Sequence, residues 1–152
     1  MQLSYRKIIL IMICLFVVMF ASTLTRSQNS QTKTYKIVMV LWRGITDSET
    51  GFMDYIKNRN LKVEFIIKNC NKNKTLLPKF IKEIKELKPD LIYTFGTTVT
   101  RTIAGTHKNH PSDRFITDIP IVFSIVADPL GAEIVPALKS SERNVTGISH
   151  LV

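Results

Sequence analysis

Residues 35–42 read YKIVMVLW, and this run narrows the possible folds more than any other part of the chain. It is almost continuously apolar and rich in β-forming side chains. A strand with one wet face alternates apolar and polar residues. A run without alternation is covered on both faces, as in a parallel sheet flanked by helices. The downstream sequence keeps to that plan. Asp47 or Ser48 caps a helix with Phe52, Met53, Tyr55 and Ile56 on its apolar side, reaching about Arg59. Leu61 to Ile67 is a second strand, and Asn69 to Lys74 is a polar loop. Leu76, Leu77, Phe80, Ile81, Ile84 and Leu87 keep helical spacing, so Thr75 to Leu87 is a helix ended by Pro89. Asp90 to Phe95 is a third strand, followed by a Gly96-Thr97-Thr98 turn and a helix over Val99 to Ala104. Ile119 to Val126 is a fourth strand. Glu133 to Leu138 is expected to be a short helix made irregular by Pro136, and Val145 to Ile148 is a fifth strand. Alternating strands and helices predict an α/β fold, an open parallel sheet with helices on both faces.

In such sheets the ligand crevice lies beyond the carboxyl ends of the strands. The residues there are Trp42, Arg43 and Gly44 after the first strand, and Gly96, Thr97 and Thr98 after the third. Ala127, Asp128 and Pro129 follow the fourth, and Ser149 and His150 the fifth. Gly96-Thr97-Thr98 opens a helix, where unpaired amides, the positive end of the dipole and two hydroxyls favour an anion such as a carboxylate. The same residues also serve as an ordinary glycine turn and threonine cap. Asp128 can hold an ammonium or shape an Asp-Pro turn. Trp42 offers a flat wall or ends the core of its strand. Arg43 pairs with a carboxylate or stays in solvent.

The N-terminus has three zones. Arg6 and Lys7 are basic, Ile8 to Ala21 is apolar without a charge, and small polar residues follow from Ser22. That is the layout of a secretory signal, and the run is short for a membrane span, which needs ~20 apolar residues. Ala21-Ser22-Thr23 is a plausible cleavage region, and an uncleaved signal anchor is the alternative. Residues 1–27 are thus a signal peptide and the start of a linker, and 28–152 the exported domain, periplasmic or otherwise extracytoplasmic. Cys14 lies inside the apolar run, which argues against lipidation there. Cys70 is the other cysteine, so the exported part has no disulfide framework, and a buried, idle thiol is expected.

The chain is basic, with 21 Lys and Arg against 12 Asp and Glu. Arg6, Lys7 and Arg26 precede the exported part, which leaves 18 against 12. Lys79, Lys82, Lys85 and Lys88 are interleaved with Glu83 and Glu86, as on a solvated helix face. No basic run with interleaved aromatics is present, so nucleic acid is not an expected partner. Catalytic signatures are missing as well: no G-x-G-x-x-G, phosphate-binding loop, H-E-x-x-H or G-x-S-x-G. His107, His110 and His150 do not have metal-ligand spacing. Neither an enzyme nor a cofactor or metal is expected.

Four stretches carry a resemblance: GFMDYIKNRNLKVEF, KPDLIYTFGTTVT, IPIVFSIVADPLGAEIV and NVTGIS. They resemble the ABC-transporter substrate-binding proteins of the tryptophan/tyrosine type, and the likeness runs from about Tyr35 to Val152. The resemblance implies two lobes of the periplasmic-binding-protein type I kind. These close on a small, amino acid-like solute and deliver it to an ABC permease in the membrane. It implies that Thr97 and Thr98 supply hydroxyls and amides to the ligand, that Ala127 and Asp128 form a second contact loop, and that Trp42, Arg43 and Gly44 occupy the first. Family members continue after the NVTG strand, so the expectation is a truncated first lobe, with a second lobe encoded separately or lost. A signal-anchored remnant or interaction protein without solute binding is the competing expectation.

Overall fold

The computed structural model describes residues 33–150 and, ahead of them, Tyr5, Ile9 and Met12 alone. Apart from those three residues, the expected signal, with its cleavage region and Cys14, lies outside the described residues. Among the described residues no helix is long and apolar enough to cross a membrane.

Five strands form one parallel sheet: β1 (Tyr35–Leu41), β2 (Val63–Asn69), β3 (Leu91–Phe95), β4 (Ile121–Val126) and β5 (Val145–Ser149). Their order is β2-β1-β3-β4-β5. Three helices connect them: α1 (Asp47–Lys57), α2 (Leu77–Leu87, preceded by a 3-10 turn over Lys74–Leu76) and α3 (Thr97–Ala104).

The unbroken apolar run of β1 has the cause its pattern implied. Val38 and Val40 join the core under α2 and α3, with Ile84, Ile92, Val99 and Ile103. Ile37, Met39 and Leu41 join a second core with Tyr93 and Phe95, against which Phe52 and Met53 of α1 pack. One strand therefore feeds both layers and has no face left for a polar residue. The Phe52 ring lies 5.0 Å from Tyr93 and 6.4 Å, edge-on, from Phe65, fixing α1 over β1, β2 and β3.

The helix ends follow local chemistry. Asp47 and Glu49 sit in the first turn of α1 and Lys57 in its last, each favourable to the helix dipole. Lys88 closes α2 in the left-handed conformation (φ 48°), and Pro89 then prevents continuation. α3 starts at Thr97, two residues earlier than expected, because Gly96 (φ 83°) makes the turn alone.

The expected helix over Glu133 to Leu138 does not form. Residues 127–144 make turns instead, with Ala132 N–H donating to Asp128 O (3.0 Å) and Ile134 N–H to Pro129 O (2.9 Å). Glu133 has φ 56°, outside the helical region, and Pro136 supplies no amide. The apolar signal was real but served another purpose: Ile134 and Val135 are buried in the α3-side core and pin the connection there. Beyond Phe123 the β4–β5 register slips before Val126, and Ile125 in this bulge has φ 56°.

Candidate functional site

From β1 the chain moves outward to β2, then returns past β1 to β3 and continues the other way. The carboxyl ends of β1 and β3 thus flank the point where strand order reverses, the usual ligand position in open α/β sheets. Trp42-Arg43-Gly44 and Gly96-Thr97-Thr98 leave the sheet at these two ends. Trp42 is half-buried and packs against both cores, and its carbonyl accepts from Lys72 N–H (2.7 Å). Arg43 is exposed, with its guanidinium carbon 5.2 Å from the centre of the Phe95 ring, so the two ends touch.

Gly96 N–H donates to Ser124 O (2.8 Å), which ties the third strand end to β4. The first intrahelical bond of α3 runs from Thr100 N–H to Gly96 O (3.1 Å). The amides of Thr97, Thr98 and Val99 precede it and point out of the helix start. No side chain caps this end. Space around Gly96 is open, so its positive φ, rather than crowding, is what requires glycine.

Ala127 and Asp128 are exposed, one strand further along. Asp128 Oδ1 accepts from Gly131 N–H (2.8 Å), closing the turn after β4. A Cβ on Gly131 would lie 2.1 Å from Asp128 Oδ2, so glycine there lets the carboxylate fold onto the loop. The turn-shaping role of Asp128 is therefore visible in the geometry.

Sequence reasoning missed a polar cluster on the α1 side of the same strand ends. Glu49 is fully buried. Its Oε2 accepts from Thr46 N–H (2.8 Å) and the Thr46 hydroxyl (2.6 Å), and its Oε1 from the Tyr93 hydroxyl (2.7 Å). The Ser48 hydroxyl lies 3.3 Å from that of Tyr93 and 3.1 Å from that of Ser124. Burial pushes the Tyr93 phenol above its ordinary value of 10.0; the neighbouring Ser124 and Ser48 hydroxyls oppose this, and Glu49 adds to it.

Cys70 is buried just beyond β2, and burial raises its thiol. Among the described residues no group of His, Cys, Asp and Glu is arranged to hold a metal. A hollow of about 660 Å³ lies between α2, α3 and the 113–115 segment, lined by Ile81, Lys85, Thr102 and Phe115. It is on the helix flank, away from the strand ends.

Residues 33–152 match the model of the family described as ABC transporter substrate binding protein. The chain belongs to that family. Its members are substrate-binding proteins of ABC transporters. Among solved structures, a conserved domain protein from Vibrio cholerae O1 biovar El Tor is 25% identical with a TM-score of 0.66, over 78% of this chain and 40% of that one. A ligand-free, open substrate-binding protein with adhesive properties from Clostridium difficile is 22% identical with a TM-score of 0.67, over 78% and 39%. A Streptococcus pneumoniae ABC domain in complex with L-Trp is 20% identical with a TM-score of 0.63, over 77% and 39%. These likenesses agree on the parallel α/β fold. This substrate-binding family member spans about 40% of the length of the structures it resembles. No curated protein matches its sequence significantly.

Proposed function

We propose that residues 28–152 are the first lobe of an extracytoplasmic receptor that hands an amino acid or similar solute to an ABC importer. The observation that carries this reading is the family match over residues 33–152. The placement of two predicted contact loops at the strand-order reversal supports it. In this reading Gly96, Thr97 and Thr98 receive the solute's carboxylate with free amides and hydroxyls. Trp42 and Arg43 form the wall beside it, and Ala127 and Asp128 bring a negative charge to the ammonium end. An amino acid is favoured because a zwitterion uses both ends, and a structurally similar protein was solved with L-Trp. Arg6, Lys7 and the Ile8 to Ala21 run act as the export signal.

A second lobe is part of the proposal. Tight sites bury ~70–90% of a small ligand, and one lobe offers about half of that cover. The test is calorimetry of the full chain against a panel of amino acids, alone and with any separately encoded second-lobe product. Weak binding alone and at least tenfold tighter binding with the second lobe is the expected result. No binding of any amino acid under either condition would sink the receptor reading and favour an interaction protein or remnant.

A further inference from the structure

We propose that the hydroxyls of Ser124 and Ser48 are further acceptors for the solute's ammonium group, in addition to the charge of Asp128, held in that role by a one-way chain of hydrogen bonds ending on buried Glu49. The inference rests on the receptor reading above for the identity of the solute, and on geometry alone for the chemistry of the subsite.

The direction follows from counting protons. Both carboxyl oxygens of Glu49 accept, and they take three donors, one of them the Tyr93 hydroxyl at 2.7 Å. Tyr93 has a single hydroxyl proton and gives it to Glu49. Toward Ser48, 3.3 Å away, Tyr93 therefore accepts, and Ser48 gives its own single proton to Tyr93. Toward Ser124, 3.1 Å away, Ser48 likewise accepts, so Ser124 donates to it. The opposite order would set lone pair against lone pair at one of these contacts. With every proton directed inward, lone pairs remain at the outer end, chiefly on Ser124. Hydrogen bonds directed one way along a chain polarise one another, which makes the outermost oxygen a better acceptor.

That outer end is accessible, since Ser48 and Ser124 are half-buried whereas Glu49 and Tyr93 are buried. Ser124 is in register with Phe95, the residue under the Arg43 guanidinium, so the chain opens beside the strand-order reversal. The backbone of the α3 start presents N–H donors there, and the Ser124 end presents acceptors. The pair matches the two ends of a zwitterion.

The test is NMR of the full, isotope-labelled chain titrated with n-propylammonium and, separately, propionate at matched ionic strength. Propylammonium is expected to shift the amides of Ser48 and of residues 124–127, and propionate is not. Ser124→Ala should weaken propylammonium roughly tenfold, as loss of a hydrogen bond to a charged group does. Ser124→Thr, which keeps the hydroxyl, should retain binding. Tyr93→Phe frees the Ser48 proton and should narrow the preference for ammonium over carboxylate, a ratio that mere support of the fold would leave alone. The proposal is overturned if propylammonium produces no shifts, if propionate shifts the same residues as strongly, or if well-folded Ser124→Ala binds propylammonium unchanged. L-tryptophan is the arm for the receptor reading. If it binds no more tightly than propylammonium, the amino acid assignment fails while the ammonium subsite stands.

Discussion

Single atoms decide how close β5 lies to β4. A Cβ on Gly147 would sit 2.2 Å from the Phe123 carbonyl oxygen and 2.5 Å from its ring, and neither backbone nor buried ring can move aside cheaply. Gly147→Ala is expected to cost about 1–3 kcal/mol, the range for overpacking, seen as a lower urea midpoint with an unchanged slope. A wild-type midpoint would mean that β5 shifts freely along the edge. Glu49 is the opposite case, a polar residue that the interior cannot do without. Glu49→Leu leaves Thr46 N–H and the Tyr93 hydroxyl without their acceptor, at about 1–3 kcal/mol for each buried orphan. Glu49→Gln, which keeps one acceptor oxygen, should fall between, and equal stability of the three proteins in urea would disprove the point. These two residues also show what a sequence conceals. Trp42, Gly96 and Asp128 could be singled out because they stand directly after apolar runs. The Glu49 cluster could not, since its contacts span 44, 45 and 76 residues along the chain. Locally, Ser48 and Glu49 look only like the start of a helix.

Elements were legible where burial and period agreed. β1 is buried from Ile37 to Leu41, so its composition had one reading. α2 has its apolar residues at helical spacing and a proline just past its end, and both showed in the sequence. The connection after β4 misled because Ile134 and Val135 are buried without being helical. What holds that connection is long-range. Arg143 donates through Nη1 to Ile134 O (2.9 Å) and through Nη2 to Ala104 O (2.5 Å), the latter at the negative end of α3. Burial lowers the affinity of this guanidinium for its proton, and Nε has no partner, so the contact is held under some electrostatic cost. Arg143→Ala removes both bonds, and hydrogen bonds to charged groups contribute ~1.5–3 kcal/mol each. Amide exchange in residues 128–144 should speed up before that of β1 or β3. Arg143→Lys should not restore protection, because an ammonium cannot span two carbonyls with a planar fork. Unchanged exchange in Arg143→Ala would show that Ile134 and Val135 anchor the connection alone.

Across the whole domain, three lysine–carboxylate pairs tie distant segments together and set the response to acid. Lys68 of β2 holds Glu83 of α2, Lys33 holds Asp90 ahead of β3, and Lys108 holds Glu133 of the β4–β5 connection. In each pair the lysine hydrogen bond is the foremost cause holding the carboxyl below its ordinary value, 4.5 for Glu83 and Glu133 and 3.8 for Asp90. A carboxyl with a lowered folded value binds protons more readily in the unfolded chain. Its contribution is therefore complete above the unfolded value and is lost as pH falls through the folded one. All three groups lose their contribution in the same direction, and the basic excess, +9 for the full sequence, adds self-repulsion as carboxylates are neutralised. At the other extreme Tyr93 is raised by burial. Above 10.0 the unfolded phenol ionises while the folded one stays protonated, so stability falls again with rising pH. The expected profile is a plateau from about pH 5 to about pH 9 with a decline on both sides. Salt separates the two limbs. The acid limb comes from exposed and half-buried pairs and should flatten as screening shortens to ~3 Å near 1 M salt. The alkaline limb comes chiefly from two buried groups, the Tyr93 phenol and the Cys70 thiol, and should persist. Urea midpoints across pH at two salt concentrations measure both limbs, and Tyr93→Phe together with Cys70→Ala should remove most of the alkaline one. An alkaline decline of full size in the double variant would assign it to other groups, and an acid limb indifferent to salt would mean that the three pairs do not control it.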